Sequence, residues 1–183
     1  TFIRALLGVW PYFDGDILLD GRKISDLSRD HLGPKIGYLS QSVDIFKGTV
    51  AENICRFNED LNYEKVITAA KLAGLHRIIL TLPNGYDTAI SDTFNLSAGQ
   101  LQRLALARAI YDDPQILFLD EPNSNLDNNG LAALHRVLSH FKEKNRLIFI
   151  TSHMSGFTDL ANRNLFCKNN RIFEVEPSAT VEK

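Results

Sequence analysis

Apolar residues recur along this chain at two spacings, and the alternation between them outlines its architecture. The opening run Phe2, Ile3, Arg4, Ala5, Leu6, Leu7 reads as the middle of a helix. No signal-peptide pattern precedes it, so the start at Thr1 is expected to lie inside a longer protein. Gly15 to Gly21 reads as a short strand ending in an Asp20-Gly21 hairpin turn, where glycine supplies positive φ. A short polar helix is expected around Ser25 to His31. Lys35 to Ser40 then alternates apolar and polar as a strand does, leaving Gln41 on the loop that follows. Thr49 and Glu52 make a capping box for a short helix to Arg56. Asn62 opens a longer helix whose positions Val66, Ala69, Ala70 and Ala73 keep helical spacing up to Gly74. Thr81 to Asn95, with Pro83 and Asn84-Gly85, reads as a loop.

Regularity then returns as strictly alternating elements. Ser97 to Tyr111 is predicted helical, Gln115 to Leu119 a strand, Asp127 to Phe141 a helix and Arg146 to Thr151 a strand. Asn164 to Cys167 and Arg171 to Val175 form a closing hairpin through Asn169-Asn170. The strands Ile-Leu-Phe-Leu and Leu-Ile-Phe-Ile are apolar on both faces, which predicts central parallel strands covered by helices on each side. The fold class is therefore α/β and doubly wound. In such sheets reactive groups gather beyond the carboxyl ends of the strands, here Gln41, Asp120-Glu121 and Thr151-Ser152-His153.

Composition narrows the classes without choosing among them. The 183 residues are 44% hydrophobic and 23% charged, as in a folded globular domain. With 22 acidic against 20 basic residues, the net charge of -2 gives no reason to expect nucleic acid as a partner. No apolar run approaches the roughly 20 residues of a membrane span. Cys55 and Cys167 lack metal-ligand spacing and read as reduced thiols.

Several residues carry chemistry, each beside a plainer reading. Asp120 and Glu121 leave an apolar strand as adjacent carboxylates, suited to holding Mg²⁺ and deprotonating water, or simply to capping the next helix. Ser97-Ala98-Gly99-Gln100 opens a helix with capping-box spacing, and the same dipole and small residues would also receive a phosphate. His153 and Gln41, each alone, read as ordinary loop residues. His31, His76, His135 and His140 read as structural, and Arg103 and Arg108 as a solvated or salt-bridged helix face.

In combination these segments resemble the nucleotide-binding domain of ATP-binding-cassette transporters, over nearly the whole chain. Leu96-Ser97-Ala98-Gly99-Gln100 and its helix resemble the signature motif, and Ile116 to Pro122 the Walker B strand with its catalytic glutamate. Ser124-Asn125-Leu126-Asp127 is similar to the D-loop, His153 to the switch histidine and Gln41 to the Q-loop glutamine. Leu6 to Pro11, Ile36 to Gln41, Phe46 to Ile54 and Glu121 to Asp127 further resemble the permease/ATPase subunits of bacterial type I secretion systems. The resemblance implies a P-loop NTPase-like, mostly parallel sheet with helices on both faces and a helical subdomain at about 49–110. It makes residues 1–183 the C-terminal part of one ABC ATPase domain. The family's phosphate-binding loop, Gly-x-x-x-x-Gly-Lys-Ser/Thr, is not among these residues, and Thr1 matches the position just after it. These 183 residues alone are accordingly expected to bind ATP weakly and to be inactive. Ala98 replaces the commoner glycine of the signature. Ser91 to Asn95 is shorter than the glycine-rich segment usual before it in exporters.

Carried over residue by residue, the resemblance implies ATP hydrolysis with Mg²⁺ at a site shared by two copies paired head to tail. Ser97, Ala98, Gly99 and Gln100 would face the partner's nucleotide, with Asp127 beside them. Asp120 would hold the metal with Gln41, Glu121 would act as general base, and His153 would contact the γ-phosphate. It also implies a fused transmembrane domain, a periplasmic adaptor protein, an exported protein as cargo, and a position on the cytoplasmic face of the bacterial inner membrane. A soluble, non-transport ATPase and a catalytically incomplete interaction module are the alternatives.

Overall fold

The computed structural model describes residues 2–10, 14–90, 96–153, 157, 160–169 and 171–175, and at 29 and 31 the backbone alone. Expectations that rest on Thr1, Pro11, Ser91 to Asn95, Asn170 and the His31 side chain lie outside them. The chain divides into two compact units, residues 1–151 and 152–183.

The first unit is built around a parallel sheet of β3 (Ile36–Leu39), β6 (Ile116–Asp120) and β7 (Leu147–Thr151), with β6 in the middle. Ile36 pairs with Ile116 and Leu39 with Leu119, while on the other side Ile116 pairs with Leu147 and Asp120 with Thr151. All three strands therefore end at one edge. Leu117, Phe118 and Leu119 are buried, as an apolar run predicts for a covered strand. The expectation that both apolar strands are central holds for β6 alone. β7 flanks the described sheet, Leu147 is exposed, and the rest of the strand is half-buried. Phe118 and Phe149, directly paired across β6 and β7, stack with ring centroids 5.0 Å apart.

Helix α6 (Ala98–Ile110) lies against this sheet, and its contact with β3 requires Gly37. A Cβ there would stand 2.2 Å from the carbonyl oxygen of Ala109, so only glycine lets helix and strand approach this closely. Every residue of α6 from Gln102 to Ala107 is buried, because helices cover it as well as the sheet. These are α3 (Val50–Ile54) and α4 (Tyr63–Leu72), followed by the single turn α5 (His76–Ile79). The Thr49–Glu52 capping box forms as expected, although the helix ends at Ile54, and Arg56 and Phe57 take positive φ. Asn62 caps α4 by accepting from the Lys65 amide, and Val66, Ala69, Ala70 and Ala73 are all buried. The segment expected as a loop from Thr81 contains instead a strand, β5 (Ala89–Ile90), paired antiparallel with β4 (Gly48–Thr49). A two-residue strand leaves no measurable alternation in sequence, so pairing geometry alone reveals it.

Helix α7 (Asn128–Glu143) is amphipathic, burying Ala133, Leu134, Val137, Leu138 and Phe141. Further short elements among the described residues of this unit include α1 (Phe2–Leu6), α2 (Arg29–Leu32) and the β1–β2 hairpin (Leu18–Leu19 with Arg22–Lys23). In that hairpin Asp20 and Gly21 both take the positive φ of a tight turn. The second unit contains an antiparallel hairpin of β8 (Asn164–Lys168) and β9 (Arg171–Val175).

Candidate functional site

The strand register converts distant sequence positions into neighbours. Leu39 pairs with Leu119, so Gln41 and Glu121 each stand two residues past a matched pair on adjacent strands about 5 Å apart. Asp120, the last residue of β6, pairs with Thr151, the last of β7. The Thr151 hydroxyl donates to Asp120 Oδ1, which fixes the carboxylate's orientation at the sheet edge. One oxygen of Asp120 is thereby engaged and the other keeps its lone pairs, an all-oxygen donor that suits Mg²⁺ held by one or two carboxylates plus phosphate oxygens. The described residues hold no cluster of three or more His, Cys, Asp or Glu side chains fit to cage a metal by themselves. Burial first, and the Asp120 carboxylate second, hold the Tyr38 hydroxyl above its ordinary pKa, which marks Asp120 as a charge felt across the strand end.

Glu121 follows with φ of 50°, the left-handed region that side chains other than glycine rarely adopt. Three backbone contacts hold it there. Its amide donates to Thr151 O at 3.0 Å, and its carbonyl accepts from the Ser124 amide at 3.2 Å and from Gln102 Nε2 at 3.5 Å. Strain of this kind costs on the order of 1–2 kcal/mol and persists where surrounding structure over-determines the conformation. On the next strand, Gln41 is exposed, and Ser40 Oγ donates to Ser42 O to brace the turn that carries it.

The N-terminus of α6 is capped reciprocally. Ser97 Oγ accepts from the Gln100 amide at 3.3 Å, and Gln100 Oε1 accepts from the Ser97 amide at 2.9 Å. Capping uses a lone pair of Ser97 and leaves its O–H as a donor, while the amides of Ala98 and Gly99 have no intrahelical acceptor. The plain reading of this segment and the phosphate-binding one are therefore chemically compatible. Gly99 is obligatory for another reason, since a Cβ there would stand 2.9 Å from Asn125 O. The start of α6 thus presses on the loop that carries Glu121.

Two residues of α6 make this junction, and only one of them was noticed in the sequence. Arg103, expected on a solvated or salt-bridged face, is buried, and its Nη2 meets Asp127 Oδ1 and Oδ2 at 3.1 and 3.3 Å. Its Nη1 and Nε donate to the carbonyls of Gly74 and Gly99. Asp127 also caps α7, accepting from the Gly130 amide at 2.7 Å. Gln102 escaped sequence reasoning because a glutamine inside a helix needs no special reading. Its signal was that α6 is buried all round, which leaves a polar side chain there in need of partners. Arg108 is half-buried over the Phe46 ring and donates to Asp44 O at 2.8 Å, so this position is not a solvated one either.

His153 is exposed, two residues after β7, and belongs to the second unit. The register places Gln41, Asp120 and Glu121 at the same end of adjacent strands, and the start of α6 abuts the Glu121 loop, which ends at Asp127 in its ion pair with Arg103. A cleft of about 770 Å³ lies away from the strand ends, lined by Lys71, Arg77, Arg103 and Arg136 beside Asp127. Among the described residues no helix is long and apolar enough to cross a membrane.

The family model described as "ABC transporter" matches residues 1–124. The chain is 48% identical over 154 residues to the type I secretion system ATP-binding protein PrsD of Rhizobium meliloti (strain 1021), covering 84% of the chain and 26% of that protein. It is 40% identical over 180 residues to the ATP-dependent lipid A-core flippase of Legionella pneumophila (strain Paris), covering 95% of the chain and 30% of that protein. It is 35% identical over 176 residues to multidrug resistance protein pgp-1 of Caenorhabditis elegans, covering 96% of the chain and 13% of that protein. The chain thus spans less than a third of the length of each of these relatives.

Proposed function

This chain belongs to the ABC transporter family, and from that premise we propose that it is part of the ATP-binding and ATP-hydrolysing domain of an exporter that drives type I protein secretion across a bacterial inner membrane. The observation that carries the catalytic part is the convergence of Gln41, Asp120 and the strained Glu121 at one sheet edge. The secretion part is supported by the 48% identity to a type I secretion ATP-binding protein.

In this reading two copies pair head to tail, so that the α6 N-terminus of one meets the nucleotide bound on the other. The Ser97 hydroxyl and the Gly99 amide donate to the γ-phosphate, and the helix dipole favours the negative charge that builds there. Ala98 leaves room at the crowded backbone, and Gln100, held by its cap, fixes the helix entry. Glu121 takes a proton from the attacking water, and Gln41 orients that water from the adjacent strand. Asp120 would hold Mg²⁺, which when bound neutralises charge on the phosphate oxygens. His153 contacts the γ-phosphate. The helices between residues 49 and 110 form the subdomain that carries the signature, and the membrane domain, a periplasmic adaptor and the exported polypeptide complete the machine.

The test is export itself, followed in cells that make the full-length gene product. Glu121→Gln is expected to abolish appearance of the secreted proteins in the medium while leaving the membrane level of the transporter unchanged. Normal secretion, accompanied by a defect in lipid transport, would reject the secretion reading in favour of the flippase-like one that the 40% relative represents.

A further inference from the structure

A buried polar group on α6 that the proposed chemistry leaves unused is Gln102, 1% exposed in the middle of a helix surrounded by apolar contacts. A buried amide must place both its donors and its acceptor. Gln102 Nε2 donates to Pro122 O at 3.1 Å and to Glu121 O at 3.5 Å, and its Oε1 accepts from Asn125 Nδ2 at 3.2 Å. All three partners lie on the loop leaving β6. Two of them are backbone carbonyls at and just after the residue with the left-handed backbone.

We propose that Gln102 is a positioning residue for Glu121: its amide fixes the strained Glu121-Pro122 turn and makes that turn move as one body with the N-terminus of α6. This rests on the reading of Glu121 as general base. The turn is also held from β7, through Thr151 O, and from the loop itself, through the Ser124 amide. Gln102 ties it to the helix that carries Ser97 and Gly99, and the close approach of Gly99 to Asn125 O, where an added Cβ would stand 2.9 Å away, closes the same junction from the helix side. In a head-to-tail pair that helix serves the partner's nucleotide, whereas Glu121 serves the one bound to its own copy. A shift of α6 on meeting the partner's γ-phosphate is therefore transmitted through this side chain to the base at the copy's own site.

The experiment is steady-state Mg·ATP hydrolysis by the full-length gene product carrying Gln102→Met, which keeps the side-chain length and removes both amide donors. Expected is a kcat lower by tenfold or more with KM changed less than twofold, since nucleotide contacts stay and only the base is misplaced. In a double-mutant cycle, Gln102→Met added to Glu121→Gln is expected to cause no further loss, because a base that is absent cannot be mispositioned. A purely structural role would instead lower the folding midpoint and multiply the two losses. A kcat within twofold of the parent, or multiplicative losses, would overturn the proposal. Should Gln102→Met fail to fold, Asn125→Ala removes a partner of the same amide from an exposed position. A threefold or larger fall in kcat at constant KM then supports the proposal, and an unchanged kcat overturns it. Undiminished turnover by Glu121→Gln alone would mark a different failure, that of the general-base reading on which this inference stands.

Discussion

Asp120 and Glu121 are adjacent carboxylates whose environments separate their roles. Asp120 ends a strand with ordinary backbone and a side-chain donor from Thr151, whereas Glu121 is turned out of the strand by a left-handed backbone. Adjacent acids on a regular strand would point to opposite faces, and the change of conformation at Glu121 re-aims the second one. Asp113 shows a carboxylate used only for stability. Burial pulls its pKa upward, but hydrogen bonds and charges from Lys144 and Arg146, at 2.9 and 3.1 Å, outweigh this and hold it below the usual carboxylate value. Because the folded pKa is depressed, the stabilisation is present above the unfolded value near 3.9 and is lost as pH falls through the folded one. Asp113→Asn is expected to cost about 0.5–1 kcal/mol at pH 7, discounted for exposure, and progressively less as the pH falls through the depressed folded value. Urea titrations at pH 7 and at a series of acidic pH values measure the difference.

At the scale of elements, the sequence was most legible where a local signal decides the structure. Thr49, Asn62 and Ser97 each cap a helix as the sequence predicts, and Asp127, expected as the first residue of its helix, caps it. The strand β3 and the helices α4, α6 and α7 lie within a few residues of their expected bounds. What was not legible is decided by tertiary contact. The β4–β5 pairing involves two residues on each strand, and the burial of Arg103 and the packing of Arg108 over Phe46 depend on segments distant in sequence. Gly37 belongs to the same class, since nothing local requires glycine in a strand. Gly37→Ala forces α6 and β3 apart against the Ala109 carbonyl and the Leu117 and Pro114 side chains, and is expected to destabilise by about 3 kcal/mol or more. Thermal melts of the two proteins read this directly. A change below about 0.5 kcal/mol would show that the helix slides without cost.

For the whole molecule, the candidate site was legible as a set of types and only partly as an arrangement. Gln41, Asp120 and Glu121 were expected at strand ends, and the parallel register accounts for their meeting at one edge. The link between that edge and the start of α6 was not readable, because Gln102 looks like any helical glutamine until its surroundings are known. A three-stranded parallel core joined to capped helices through a loop of non-glycine, left-handed backbone is a rigid frame for chemistry at its rim. The most direct test of this account is the steady-state rate of Mg·ATP hydrolysis by the full-length gene product and by its Glu121→Gln variant. The account predicts turnover in the parent and a loss of about a hundredfold or more in the variant, the contribution of a general base. Equal turnover by the two proteins would contradict it.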